Sequence, residues 1–134
     1  MVEQISIYAE NKKGAMSAIT RVLAGAGINI RSFVTNDSAE FGIIRMLVSD
    51  PEAAGRLIGG AGYLIRRTAV IAAAVSDDPG SLDRLLQLIE SANVNIDYLY
   101  TSFDRATAGP VIVLHADDMD EVEAFISSAG FRCL

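Results

Sequence analysis

The sequence predicts an α+β fold built from two copies of one unit. Each copy runs strand, helix, strand, strand, helix, strand, with antiparallel sheets side by side and helices on one face. Three observations predict it. A glycine-bearing turn precedes a helix-period segment twice, at Glu10-Asn11-Lys12-Lys13-Gly14-Ala15-Met16 and at Ser76-Asp77-Asp78-Pro79-Gly80-Ser81-Leu82. Each segment ends in a similar triplet, Ile28-Asn29-Ile30 and Val94-Asn95-Ile96. Gly14 and Gly80 are 66 positions apart, and so are Asn29 and Asn95.

The elements follow in order. Ile5 to Ala9 alternates apolar with small or polar residues and reads as a strand. After the turn, Met16, Ile19, Val22, Leu23 and Ala26 fall on one helical face. Gly27 can take the left-handed conformation that ends a helix. An extended segment runs from Ile28 to about Thr35, and Asn36-Asp37-Ser38 is turn chemistry. Phe41 to Val48 is the third strand. Asp50 is placed to cap the next helix, with Pro51 at its first position and Ala54, Leu57, Ile58 and Ala61 as its buried stripe. Tyr63 to Arg66 is a short fourth strand.

The order then repeats. Val70 to Val75 is a strand, and Leu82, Leu85, Leu86, Ile89 and Ala92 stripe a helix. Asn95 to Ser102 and Gly109 to Ala116 form a hairpin whose loop, Asp104 to Ala108, is two residues longer than its counterpart. Met119 to Ala129 is a helix with Val122, Phe125, Ile126 and Ala129 inward, and Phe131 to Leu134 closes the unit. This is the ferredoxin-like split β-α-β order, in which right-handed crossovers put both helices of a unit on one face. The two units divide at 1–69 and 70–134. No Pro/Ser-rich linker separates them.

Bulk properties limit the function classes. With 134 residues, 51% hydrophobic and a mean hydropathy of +0.32, the chain can build a core and is not disordered. No apolar run approaches the ~20 residues of a membrane span, and Met1-Val2-Glu3-Gln4 lacks the pattern of a secretion signal. The lone cysteine, Cys133, excludes an internal disulfide framework and fits a cytoplasmic protein. The net charge of −6 disfavours nucleic acid, and it is uneven: residues 1–70 carry +2 and residues 71–134 carry −8. The two copies share a plan but not a chemistry. Val111 to Leu114 is apolar on both faces, and Ile43 to Val48 nearly so. A sheet with helices on one face has no need of this, which points to burial against a partner chain, as in a homodimer.

The two turns carry the candidate chemistry. A free amino acid offers a carboxylate, an ammonium and a side chain. A helix N-terminus presents unpaired N–H groups and the positive end of its dipole, which suits a carboxylate. Gly14 and Gly80 permit positive φ and leave the backbone approachable. Asn29 and Asn95 carry both donors and acceptors, and Asp77 can accept from an ammonium. Met16, Ile28, Leu82 and Val94 are the candidate apolar lining. Each has a plain structural reading as well: turn glycines, turn asparagines, and acids that favour a helix start. Lys12 and Lys13 read as solvated.

Other chemistry is poorly represented. His115, the one histidine, lies in an apolar strand and reads as structural, and no nucleophile–base pairing is evident. There is no Cys/His cluster for zinc, and Asp117-Asp118-Met119-Asp120-Glu121 lacks the glycine and spacing of a calcium loop. No phosphate-binding glycine motif is present. The sequence calls for no catalytic residue, no metal and no cofactor.

Two consecutive units, each with an Asp/Asn-x-x-Gly-x-Leu/Met turn and an Ile/Val-Asn-Ile after the helix, resemble ACT domains, small modules that sense amino acids. The resemblance covers about residues 3–134 with no attached catalytic domain. Asp77-Asp78-Pro79-Gly80-Ser81-Leu82 is the closer match, and the first copy departs at Asn11 and Lys13. Family effectors bind at interfaces between units, near the first turn. By position the resemblance implicates Asn11, Gly14, Ala15, Met16 and Asn29 in the first copy. In the second it implicates Asp77, Gly80, Ser81, Leu82 and Asn95. It implies a non-catalytic regulatory protein that binds a small molecule, a free amino acid, and modulates a partner enzyme, a regulator or its own assembly. The alternatives are a ligand-free oligomerising adaptor of the same fold and, further off, a small enzyme.

Overall fold

The computed structural model describes residues 1–35 and 41–134. The expected turn Asn36-Asp37-Ser38 lies outside the described residues. The chain divides into two compact units, Glu3–Thr68 and Ala69–Leu134 with Met1–Val2.

The first unit contains β1 (Val2–Glu10), α1 (Ala15–Gly25), β2 (Ile30–Thr35), β3 (Phe41–Val48), α2 (Pro51–Gly60) and the leading part of β4 (Leu64–Ala74). β3 lies between β1 and β2 and pairs antiparallel with both, setting Ile7 opposite Ile44 and Thr35 opposite the same Ile44. Opposite residues share a face, so Ile5, Ile7, Ile44 and Met46 form one apolar layer. Ile19 and Leu23 of α1 and Ala54 and Ile58 of α2 close over it, each pair four residues apart along its helix. α2 starts as its sequence demands. The Ala53 N–H donates to Asp50 Oδ1 at 3.0 Å, and Pro51, which has no N–H to lose, follows the cap. Arg67 on β4 donates to both carboxylate oxygens of Glu3 on β1, through Nε to Oε1 and through Nη2 to Oε2 at 2.9 Å. The hydrogen bond from Arg67 holds the Glu3 carboxyl below its ordinary value.

The second unit contains the trailing part of β4, α3 (Ser81–Ser91), β5 (Ile96–Asp104), β6 (Gly109–Ala116), α4 (Met119–Ser128) and β7 (Arg132–Cys133). The strand order is β7-β4-β6-β5, with every pairing antiparallel. Ile71 lies opposite Leu114 and Ala73 opposite Ile112. Leu85 and Ile89 of α3 and Val122 and Ile126 of α4 cover that layer. Both units are therefore strand-helix-strand-strand-helix-strand modules with an antiparallel sheet and a helix pair.

Four details differ from the sequence reading. The expected strands at 63–66 and 70–75 are one strand, Leu64–Ala74. Nothing from Tyr63 to Ser76 is Gly, Pro, Asn or Asp, so no residue supplies a turn between the apolar runs. The strand expected from Ile28 begins at Ile30, and the closing strand is two residues long. The helix stripes are narrower than drawn, since Ala26 and Ala92 are exposed and Leu82, in the first turn of α3, is 41% exposed. Finally, both faces of β6 are buried within the single chain, with Val111, Ile112, Val113 and Leu114 all nearly inaccessible. On β3 the residues of the second face, Ile43 and Leu47, are half-buried.

Candidate functional site

The two turns have the same backbone. Gly14 and Gly80 are the N-caps of α1 and α3, with φ of 86° and 88°. L side chains rarely adopt this left-handed conformation, which is why glycine stands there. The Ala15 N–H donates to Lys12 O and the Ser81 N–H to Asp78 O, each at 3.2 Å. The Ala18 N–H donates to Gly14 O at 3.0 Å and the Arg84 N–H to Gly80 O at 2.9 Å. Neither glycine can cap with a side chain, so the N–H groups that follow those of Ala15 and Ser81 in each first helical turn face the space before the helix.

What lies over that backbone differs. At the first turn a Cβ built on Gly14 would meet nothing within 4 Å. A cavity of about 330 Å³ opens there. Asn11, Gly14, Ala15, Met16 and Ser17 form its helix side, and Ala9, Thr35, Gly42 and Ile44 its strand side. The strand register accounts for this second wall: Ala9 is opposite Gly42, and Thr35 is opposite Ile44. Among the described residues the wall is apolar apart from the Thr35 hydroxyl. At the rim Lys12 pairs with Glu10 at 3.2 Å, both largely exposed.

At the second turn the chain's own side chains lie over the backbone. Ser76 Oγ and Ser81 Oγ are 2.6 Å apart. Arg84 Nη2 donates to Ser81 Oγ at 3.2 Å and reaches Ser76 Oγ at 3.5 Å. A Cβ on Gly80 would lie 3.6 Å from Arg84 Nη1, so the guanidinium lies across the turn. Ser81 is only 4% exposed. The positions of Ser76, Ser81 and Arg84 correspond in the first copy to Glu10, Ala15 and Ala18, 66 residues earlier.

The expected site residues thus fall into groups. Asn11, Gly14, Ala15 and Met16 come together at the first cavity. Asp77, Gly80, Ser81 and Leu82 are together at the second turn. Ile28 and Asn29 do not line the first cavity. They line a groove of about 360 Å³ at the other end of α1, with Thr20, Arg21, Ala24 and Ile30. Ser17 borders both spaces. There the Asn29 N–H donates to Ser49 Oγ and the Ser49 N–H returns a bond to Asn29 O, each at 2.9 Å. Val94 and Asn95 line the equivalent groove of about 440 Å³ beside α3, with Leu86, Ile89, Glu90 and Ile96. The repeated asparagine therefore belongs to a repeated groove at the helix C-terminus, on a different part of each unit from the turn.

Two parts of the site escaped the sequence reading. The strand wall of the cavity depends on register across β1, β2 and β3, which local patterns do not specify. Arg84 had a readable signal: three residues after Ser81 on a helix, a long side chain points back toward the N-terminus. Elsewhere, His115 Nδ1 lies 2.7 Å from Asp97 Oδ2, and its ring stacks on Tyr98 at 5.4 Å and 11°. Among the described residues no group of three or more His, Cys, Asp or Glu is placed to hold a metal ion, and no helix is long and apolar enough to cross a membrane.

A pair of ferredoxin-like units with a helix-capping glycine turn in each defines the class. The sequence matches the ACT domain pair family over residues 1–130, and the chain belongs to that family. Its fold is shared by a protein of Bacteroides thetaiotaomicron, 28% identical, with a TM-score of 0.91 over 99% of this chain and 91% of that one. The ligand-free regulatory subunit of aspartate kinase from Thermus thermophilus is 15% identical, with a TM-score of 0.68 over 96% of this chain and 92% of that one. The regulatory subunit of aspartate kinase from Thermus flavus is 14% identical, with a TM-score of 0.63 over 95% and 91%. At those identities the two aspartate kinase subunits show a likeness of fold. None of the proteins of curated function matches the sequence.

Proposed function

We propose that this ACT domain pair is a non-catalytic regulatory protein that binds a small molecule, a free amino acid, in the cavity of the first turn. Binding would be passed on to a partner enzyme, a regulator or the protein's own assembly as a homodimer. The cavity carries this reading. It has the size of a small metabolite site and joins three features that an amino acid needs. The first-turn N–H groups of α1 suit the carboxylate. Asn11 and Glu10 at the rim suit the ammonium. Ala9, Met16 and Ile44 suit a side chain of modest size and low polarity. A strongly polar side chain would lose its water against that wall without regaining its hydrogen bonds.

Family membership and the regulatory subunits that share the fold support a sensing role. The lone cysteine, Cys133, suits a reducing, cytoplasmic setting. Regulation requires that the ligand prefer one of two states of the protein. A second reading, a ligand-free oligomerising adaptor, draws on Phe33, Leu64 and Phe103, which are 59%, 70% and 60% exposed.

Thermal unfolding with each of the twenty amino acids separates the two. A ligand at ~100 times its dissociation constant adds ~2.7 kcal/mol to the folded state. The expected result is a shift with one or a few amino acids bearing compact apolar side chains. No shift with any of them at millimolar concentration favours the adaptor.

A further inference from the structure

We propose that Arg84 is a built-in occupant of the second turn, so that each chain offers one open turn, the first, to a small ligand. The inference rests on the function proposed above only in taking the open turn as the ligand's place. The two turns have matching backbone hydrogen bonds and matching glycine conformations, so backbone geometry cannot make one a site and the other not. Of the side chains that differ between the turns, three build the covering. Where the first copy has Glu10, Ala15 and Ala18, the second has Ser76, Ser81 and Arg84.

A cation at a helix N-terminus is on the unfavourable end of the helix dipole. Arg84 therefore does not take this pose through helix electrostatics. The polar partners account for it: two serine hydroxyls, one of them on the almost fully buried Ser81. Ser76 and Ser81 satisfy each other and the guanidinium, and the turn carries two carboxylates, Asp77 and Asp78, to offset the charge. A ligand entering here must lift Arg84 off Ser81, which leaves the Ser81 hydroxyl buried with fewer partners. At the first turn the Ala18 methyl is too short to interpose.

The alternative role for an arginine on a helix N-terminus is to bind an anion, and the test distinguishes the two. Backbone amide NMR spectra of the full chain and of Arg84→Ala are recorded while methylguanidinium chloride and, separately, sodium acetate are titrated in. Methylguanidinium replaces the lost group. It is expected to give saturable shifts at Gly80 and Ser81 in R84A and none there in the unmodified chain, with acetate shifting those amides in neither. Unmoved Gly80 and Ser81 amides in R84A with methylguanidinium would overturn the proposal. So would acetate shifts in the unmodified chain that disappear in R84A. A second measurement uses the unmodified chain alone. Rotation of the Arg84 guanidinium, read from side-chain nitrogen relaxation, should be slower than that of Arg21 and Arg56, which are exposed as Arg84 is, and equal rates would contradict an occupied turn. Neither probe is an amino acid, so these results stand apart from whether the first turn binds one.

Discussion

The turns at Gly14 and Gly80 share a backbone and differ in what covers it. In the first, a 330 Å³ cavity stands in front of α1. In the second, Arg84 lies over Gly80 and is bonded to Ser81. A duplicated fold keeps its hydrogen-bonded scaffold because that scaffold builds the unit. Side chains at the mouth of the turn are under no such demand. Ser76, Ser81 and Arg84, where the first copy has Glu10, Ala15 and Ala18, make the difference in covering while the backbone bonds stay the same.

The comparison can be tested at several depths, beginning with the scaffold. Ile19 and Leu85 hold the same place in the two copies and are both fully buried. Replacing either with alanine should cost about 2–5 kcal/mol in denaturant unfolding. A large loss at one and a negligible loss at the other would show that the units do not share a packing plan. The glycines come next. Gly14→Val and Gly80→Val each force a β-branched residue into a left-handed conformation and should each cost about 1–3 kcal/mol. Asparagine at either position should lose less.

The coverings should separate where the scaffolds do not. Ser81→Ala removes a buried hydroxyl with two partners and should cost about 1 kcal/mol, whereas Ala15→Ser at the open turn should stay within about 0.5 kcal/mol. Transplanting the covering as Ala15→Ser with Ala18→Arg should leave unfolding within about 1 kcal/mol of the original. It should also remove any amino-acid-dependent rise in melting temperature.

The smallest effect is electrostatic. Arg67 holds the Glu3 carboxyl below its ordinary value of 4.5, so the pair contributes stability above that pH and loses it as pH falls through the lowered value. Glu3→Gln should therefore lower stability at neutral pH, by an amount that shrinks as pH falls below 4.5 and through the lowered value. Both side chains are more than a third exposed, so solvent screening keeps the effect small.

Much of the fold was legible because the chain repeats itself. The spacing of Gly14 and Gly80 set the register of two units, and within each the helix and strand periods differ plainly. The Asp50-Pro51 start of α2 was readable because cap and proline act locally. The long strand Leu64–Ala74 was not, since only the absence of a turn residue marks it and its pairing is set by other strands. The candidate site was half legible. The glycine turns mark helix starts by backbone conformation, a local property. Asn29 and Asn95 repeat just as faithfully, but repetition does not say which end of a helix a residue serves, and both went to grooves away from the turns. The acidic Asp77-Asp78-Pro79-Gly80 turn is the better match to the family motif. What separates the turns is Arg84, outside the motif and within one helical turn of Ser81.

The most direct test of this account is an amide NMR titration of the unmodified chain with the amino acids that raise its melting temperature. Perturbations centred on Gly14, Ala15 and Met16, with Gly80 and Ser81 unmoved, are the predicted result. Equal perturbation at both turns, or perturbation at Gly80 and Ser81 alone, would contradict it.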